Sequence, residues 1–212
     1  SYDNKNRKIS ESKTLIDENG NKVEAAKHIT YNSLDQIESE TDYNGNVKRY
    51  SYDSKGMLLS ETNAKDEITN YTYDRMGRLI EKTTPKDKIS NSKTRYAYDS
   101  RGRVVTEEKL IGSEYIVIKA YMYDVCDNVI KEVDGLAYKN AEGESKEEKI
   151  RNAYGKEFRY NLGNMLQEEL DPVSKENGLE FSKKYKYDGL KNLIKETDAK
   201  GNSIVYSYNG EG

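Results

Sequence analysis

Tryptophan is absent from this chain of 212 residues, proline occurs twice, and cysteine and histidine occur once each. A single cysteine, Cys126, leaves no internal disulfide framework. Its place in Tyr123-Asp124-Val125-Cys126-Asp127-Asn128 suggests an idle thiol at a turn. His28 has no second imidazole or neighbouring cysteine with which to hold zinc, and no Ser or Cys constellation for nucleophilic catalysis. Apolar residues make up only 34% of the chain, with a mean hydropathy of -1.04. No apolar run approaches the roughly 18 residues of a membrane span, and no stretch has signal-peptide character. An excess of one charge is also missing, since 35 basic residues face 38 acidic ones for a net charge of -3. Without a basic block there is no phosphate-tracking surface, so nucleic acid is not an expected partner. No glycine-rich loop precedes a helix to cradle a phosphate.

What the chain does have is 19 tyrosines. A tyrosine buries a large ring while its hydroxyl keeps a polar partner, which suits a thin, partly wet structure better than disorder. The tyrosines recur in a pattern. Tyr50-Ser51-Tyr52-Asp53-Ser54-Lys55-Gly56 is followed by Tyr71-Thr72-Tyr73-Asp74-Arg75-Met76-Gly77 and Tyr96-Ala97-Tyr98-Asp99-Ser100-Arg101-Gly102. Tyr121-Met122-Tyr123-Asp124 and Tyr185-Lys186-Tyr187-Asp188 keep the head of the motif, and Phe158 to Asn161 and Tyr206 to Asn209 vary it. The second tyrosine falls at 2, 31, 52, 73, 98, 123, 160, 187 and 208, so the commonest step is 21 residues. A fixed period of this length marks a repeat protein.

Each unit has two halves. Tyr-x-Tyr places two rings on one side of an extended strand. Asp then opens a turn, its carboxylate accepting from the backbone N–H two residues on, and Gly closes it where φ is positive. The second half has its own turn, as at Asp17 to Asn21, Asp42 to Asn46 and Asp198 to Asn202, before a strand that runs into the next tyrosine pair. The expected fold is all-β: a continuous antiparallel meander of roughly 16 to 18 strands. Because twist accumulates in a wide sheet, it should curve or spiral with tyrosines and aliphatics on the concave side.

Residues 1–212 are expected to be one array of about nine repeats. The chain opens inside one unit and stops just after another, which suggests a piece of a longer protein. Lys22 to Lys27 is the best short helix candidate in the front half, against a longer strand or loop. Tyr31 to Ile37 has lost both Asp and Gly, and Pro85 to Lys88 replaces a second-half turn. Tyr115 to Ile118 with Val129-Ile130 should be the most densely packed region. The insertion at about 134–157, charged over Ala141 to Lys149, suggests a mobile loop or frayed hairpin tip, and Asp171 to Ser174 a smaller loop.

Chemistry finds little support. Asp42, Asn44 and Asn46, like Asp17, Asn19 and Asn21, alternate in a calcium-like way. Their Gly falls at the fourth position, however, and no Glu completes an EF-hand loop. Glu107-Glu108, Glu147-Glu148 and Glu168-Glu169 are adjacent carboxylates, which a strand points to opposite faces, so they are poor acid–base pairs. No catalytic residue, metal site or cofactor is expected. Asn70-Tyr71-Thr72 fits a glycosylation pattern by chance. The functional rival is sugar binding, with Tyr50, Tyr52, Tyr71, Tyr73, Tyr96, Tyr98, Tyr121 and Tyr123 stacking on a polysaccharide or cell-surface glycan. The alternative is that these rings form ladders between repeats. Binding needs several ring faces open along a groove; ladders leave only edges and hydroxyls exposed.

Tyr-x-Tyr-Asp-x-x-Gly-Arg-Leu/Val, near-ideal at Tyr71 to Leu79 and Tyr96 to Val104, resembles the YD repeat, also called the Rhs repeat. Tyr50 to Leu58 has Met57 in place of Arg; Tyr121 to Val129 has Asp127 for Gly; Phe158 to Leu166 has Asn161 for Asp and Asn164 for Gly. The repeat-defining residues on this resemblance are Tyr52, Asp53, Gly56, Tyr73, Asp74, Gly77, Tyr98, Asp99, Gly102, Tyr123, Asp124, Tyr187 and Asp188. Such repeats occur in bacterial wall-associated and Rhs proteins, insecticidal toxin complexes and teneurins. The resemblance implies a strip of hairpins spiralling into a shell, which in the bacterial proteins can enclose a toxin. It implies a secreted or cell-surface bacterial setting, with neighbouring repeats as partners. The capping region with self-cleaving aspartates is not found here. A strand left bare at the edge of such a sheet is a hazard for edge-to-edge self-association.

Overall fold

The computed structural model describes residues 1–16, 18–87 and 90–208. The expected turn at Asp17 and the Pro85 to Lys88 turn therefore lie partly outside the described residues, as does the turn after Tyr208. Among the described residues the chain is an antiparallel meander of sixteen strands whose order in the sheet is their order in the chain. Two compact units divide it, Ser1–Arg95 and a second beginning at Tyr96.

The first unit holds β1 (Ser10–Ile16), β2 (Lys22–Tyr31), β3 (Ile37–Thr41), β4 (Val47–Tyr52), β5 (Leu58–Thr62), β6 (Ile68–Tyr73), β7 (Leu79–Pro85) and most of β8 (Asn91–Tyr98). Tyrosine and β-branched residues suit a pleated, half-covered surface. The helix candidate Lys22 to Lys27 is the start of the long strand β2, paired in register with β1 from Ile16↔Lys22 to Ser10↔His28. No described residue of this unit is buried; the tyrosines of its Tyr-x-Tyr strands are half-covered, while Ile16, Leu34 and Met76 are exposed. It is a single layer.

The second unit continues with β9 (Val104–Ile111), β10 (Glu114–Tyr123) and β11 (Val129–Asp134), then β12 (Lys156–Tyr160), β13 (Leu166–Leu170), β14 (Lys183–Tyr187), β15 (Leu193–Asp198) and β16 (Ser203–Val205). Here the expected mobile loop at 134–157 is corrected. It forms α1 (Gly135–Asn140) and α2 (Lys146–Asn152). Asp134 caps α1 by accepting from the Ala137 N–H at 2.9 Å. Ser145 and Glu148 form a reciprocal capping box on α2, which satisfies two otherwise orphaned donors. The smaller loop is corrected in the same way: Asp171 caps α3 (Pro172–Glu176), with Pro172 in its first turn. No helix among the described residues is long and apolar enough to cross a membrane.

The helices create the core. Ile150, which is 1% exposed, and Ala153 pack with Ala120 and Val133 of the sheet, over buried Thr106 and Lys131. The dense region thus lies beside the expected one, since Ile116 is exposed and burial centres on Ala120 and Val133. Lys131 donates to the Arg151 carbonyl at the end of α2 (2.8 Å), where the helix dipole favours a cation. Lys146 donates to Glu108 at 2.7 Å and Thr106 at 3.3 Å on β9. The seat is close. A Cβ on Gly155 would stand 2.5 Å from the Glu132 carbonyl oxygen, and one on Gly135 2.2 Å from that of Val117.

Ile150→Ala should therefore cost about 2–5 kcal/mol by lost burial plus the cavity left behind. Leu136→Ala on exposed α1 should stay within about 0.5 kcal/mol. Urea unfolding followed by circular dichroism checks both; equal effects would mean that the helices do not form the core.

Candidate functional site

The repeated motif is the candidate site, and it is built outward from the turn. In the hairpin β4–β5, the Asp53 Oδ1 accepts from the N–H groups of Lys55 and Met57, both at 2.9 Å. The Asp53 N–H donates to the Met57 carbonyl (2.9 Å), and the Gly56 N–H to that of Asp53 (3.0 Å). Gly56 sits at φ +85°, in the left-handed region. Asp74 and Asp99 open the same turn, with Gly77 and Gly102 at φ +80° and +84°. Asp124 and Asp188 do so as well. Their left-handed residues are Asp127 and Lys191, at φ 68° and 69°.

Units that looked degenerate keep this geometry. Asn32 takes the part of Asp and Asp35 that of Gly, and Asn161 and Asn164 do the same. A turn not singled out in the sequence, Asn63 to Glu67, also follows it, with Asp66 left-handed. Asn and Asp tolerate this region better than other side chains.

The second carboxylate oxygen is occupied too. It accepts from the arginine four residues on in Asp3–Arg7, Asp74–Arg78 and Asp99–Arg103, each at 2.7 Å. Asparagine serves in Asp42–Asn46, Asp124–Asn128 and Asp198–Asn202, each at 2.9 Å, and in Asp188–Asn192 at 3.1 Å. These bonds hold several carboxyls below their ordinary value of 3.8. The Arg78 N–H is the chief cause for Asp74, the Asn192 N–H for Asp188, and the Asn46 and Asn202 side chains for Asp42 and Asp198. An aspartate closed on its own turn is a poor calcium ligand. Among the described residues, no group of three or more His, Cys, Asp and Glu is placed to hold a metal ion.

The tyrosines then join one hairpin to the one before it. A bulge opposite the second tyrosine, between Ser51 and Tyr52 and at the matching place in the other tyrosine hairpins, re-aims that ring. Its hydroxyl donates to a backbone carbonyl on the preceding unit. Tyr52 reaches Ile37 (2.8 Å), Tyr73 Leu58 (2.9 Å), Tyr123 Val104 (2.8 Å) and Tyr187 Leu166 (2.8 Å). Tyr31, Tyr160 and Tyr208 reach Lys8, Val129 and Leu193. In every case the acceptor stands two residues after the left-handed turn residue. In every case, too, the strand ladder between the units reaches its last pair two residues further on, as at Ser39↔Arg49 and Ser60↔Asn70. Tyr98 ends β8 and is half-buried.

The first tyrosine reaches a carboxylate on that same preceding strand: Tyr50 to Glu40 and Tyr121 to Glu107 at 3.0 Å, and Tyr185 to Glu169 at 2.9 Å. Burial first, and then the glutamate, pushes Tyr50 up to about 12 and raises Tyr121 and Tyr185 as well. Glu40 was not singled out from the sequence, and Glu107 and Glu169 were named only as members of adjacent pairs. Aligning the chain on the left-handed residue shows them, because five residues later stand Glu11, Glu40, Glu61, Glu107, Glu132, Glu169 and Glu196, with Lys82 the exception. Arg7 and Arg103 complete two units by stacking on Tyr31 and Tyr123, at 4.3 and 4.7 Å from the ring centres.

All eight tyrosines considered for sugar stacking are half-buried. The exposed ones are Tyr2, Tyr154 and Tyr208. A groove of about 790 Å³ in the first unit is lined mostly by polar residues, among them His28, Asp42, Asn46 and Lys48, with Ile29 and Ala64, and without a tyrosine. On β9 the paired glutamates diverge as expected, Glu107 accepting from Tyr121 and Glu108 from Lys146, whereas Glu147-Glu148 lies on helix α2 and not on a strand. Cys126 is an exposed free thiol whose N–H caps Asp124.

Residues 31–68 and 52–89 match the RHS Repeat family. A search of curated proteins found no match. Among solved structures, the chain is 14% identical to a chain of the TcdB2-TccC3-Cdc42 crystal structure, with a TM-score of 0.47 over 100% of this chain and 14% of that one. A TcdB2-TccC3 crystal structure gives 15% identity and a TM-score of 0.47 over 99% and 15%. The Photorhabdus luminescens Tc holotoxin pore gives 15% and 0.46 over 97% and 14%. The chain spans about one seventh of the length of those chains.

Tyr52→Phe removes one hydroxyl bond to a backbone carbonyl and should cost about 1 kcal/mol, whereas Tyr2→Phe should cost nothing measurable. Stability should also have an acid and an alkaline limb. The depressed aspartates contribute fully above 3.8 and lose that contribution as pH falls below it. The raised tyrosines contribute fully below 10 and lose that contribution as pH rises through their folded values, near 12 for Tyr50. Urea midpoints measured across pH, with tyrosinate absorbance, test this; a midpoint unchanged above pH 10.0 would refute the tyrosine ladder.

Proposed function

We propose that the chain, whose residues 31–89 match the RHS Repeat family, is built of such repeats throughout and is a non-catalytic structural module. In this reading it is a wall segment of a secreted or cell-surface bacterial protein, a shell that encloses or presents a toxin domain. Residues 1–212 act as one array of about nine repeats, and Tyr52, Asp53, Gly56 and their counterparts define the repeat. Its partners are neighbouring repeats of the same protein.

One observation supports this above the others: the polar groups of the motif are engaged within the array. Aspartate oxygens close their own turns, and tyrosine hydroxyls fasten one hairpin to the preceding one. A motif built to bind sugar would keep those groups for its ligand. Glycan binding by exposed Tyr and Asp rows is therefore the weaker reading, resting on the polar groove of the first unit, which has no ring on which a sugar could stack.

Tyrosine nitration mapped by mass spectrometry distinguishes the two. On the structural reading Tyr2 and Tyr154 react first, while Tyr50, Tyr52, Tyr71 and Tyr73 are protected whether or not oligosaccharide is present. Saturable protection of those four only when glycan is added would establish the binding reading instead.

A further inference from the structure

One pair of facing residues breaks the charge pattern of the sheet. In the ladders from β1 to β8 and from β9 to β16, charged residues that stand directly opposite each other are opposite in sign. Glu40↔Lys48, Glu81↔Arg95, Lys131↔Glu157 and Lys183↔Asp198 are examples. Lys186↔Lys195, between β14 and β15, is the exception. The matching place in other tyrosine hairpins holds paired hydroxyls, Thr30 with Ser39 and Ser51 with Ser60, or opposite charges, Arg159 with Glu168. Like charges directly opposite, with Cβ atoms about 5 Å apart, destabilise a sheet. The surrounding face does not neutralise them. Lys186 and Lys195 point away from Tyr185 and Tyr187, onto the face that carries Arg159, Glu168 and Lys184. The carboxylates that β12 and β13 place there are each shared by two cations. Glu168 meets Lys184 at 2.7 Å and Arg159 at 3.1 Å, and Glu157 meets Lys175 at 2.7 Å and Lys131 at 4.0 Å. On the far side, β16 brings Val205 opposite Lys195. Neither lysine has an ion-pair partner among the described residues.

We propose that Lys186 and Lys195 form a binding site for a phosphate dianion, free or at the end of a monoester. Two compact ammonium groups side by side match the charge of one such group, about −1.5 to −2 at pH 7. A carboxylate would balance only one of them. The forked donor that suits a carboxylate is Arg159, and it is already engaged by Glu168. No basic run in the chain announces the site; the register of β14 on β15 alone brings the two lysines together. An isolated pair is too short to track a nucleic-acid backbone. The site does not depend on the shell reading.

Lysine acetylation of the full chain by an N-hydroxysuccinimide ester, mapped by mass spectrometry, tests this residue by residue. Inorganic phosphate should slow the reaction at Lys186 and Lys195 and leave exposed Lys55 unchanged, with chloride at equal ionic strength as the reference. The protection should saturate. Lys195→Ser puts at this place a hydroxyl like that of Ser39 or Ser60, which the fold already accommodates. It removes one charge-assisted bond and should raise the phosphate concentration that half-protects Lys186 about tenfold or more. Glycerol 3-phosphate distinguishes the sources. Protection equal to that by inorganic phosphate assigns the site to a monoester-bearing ligand, and protection by inorganic phosphate alone assigns it to the free ion. Protection that chloride or acetate matches, or that survives Lys195→Ser unchanged, overturns the proposal. So does an acetylation rate at Lys186 that phosphate does not alter.

Discussion

The sheet depends on what happens where two neighbouring hairpins part. Between units the backbone ladder stops short of the turn, because a bulge and a left-handed residue bend each hairpin away from its neighbour. A tyrosine hydroxyl carries the pairing one step further by donating to the first strand carbonyl after the preceding turn. That bond is one the ladder between the units does not supply. A phenylalanine would fill the same volume and leave the acceptor unmet, so the position calls for tyrosine. The geometry also explains why the turn and the tyrosine recur together: the turn fixes where the acceptor stands, and the ring length fixes how far away it can be.

A second constraint is the scarcity of apolar residues. With so few to bury, the first unit stays a single layer in which no described residue is buried. Such a layer holds through cross-strand pairs and closed polar groups, each of modest net worth. The second unit solves the problem once, by laying two capped helices over Ala120 and Val133. At the matching position before the tyrosine pair, the regular units carry Arg49, Asn70 and Arg95, which suit an uncovered face.

Much of this was legible in the residues. The Asp-x-x-Gly turn and the Tyr-x-Tyr strand could be read because each follows from local geometry that one side chain determines. Asp127 and Asn164 were harder, because they looked like losses of glycine; the backbone conformation persists although the residue that advertises it does not. The helices were missed because Ala141 to Lys149 was weighed by its charge alone. Ser145-x-x-Glu148 was a readable capping signature, and Ile150 with Ala153 a readable apolar face. The glutamate column was invisible for another reason: insertions shift its spacing in the chain and disappear only when the left-handed residue is taken as the origin.

The helical cover has a mechanical meaning. In a meander each hairpin touches mainly its two neighbours, so tension applied along the strip would peel it one hairpin at a time, each release freeing a few weak bonds. The cover breaks that sequence. Through Lys146 it grips β9, through Ala120 it packs on β10, and through Lys131 it is held by β11, so three strands must let go together. A tear running along the sheet would stall there, as a running stitch stalls at a knot.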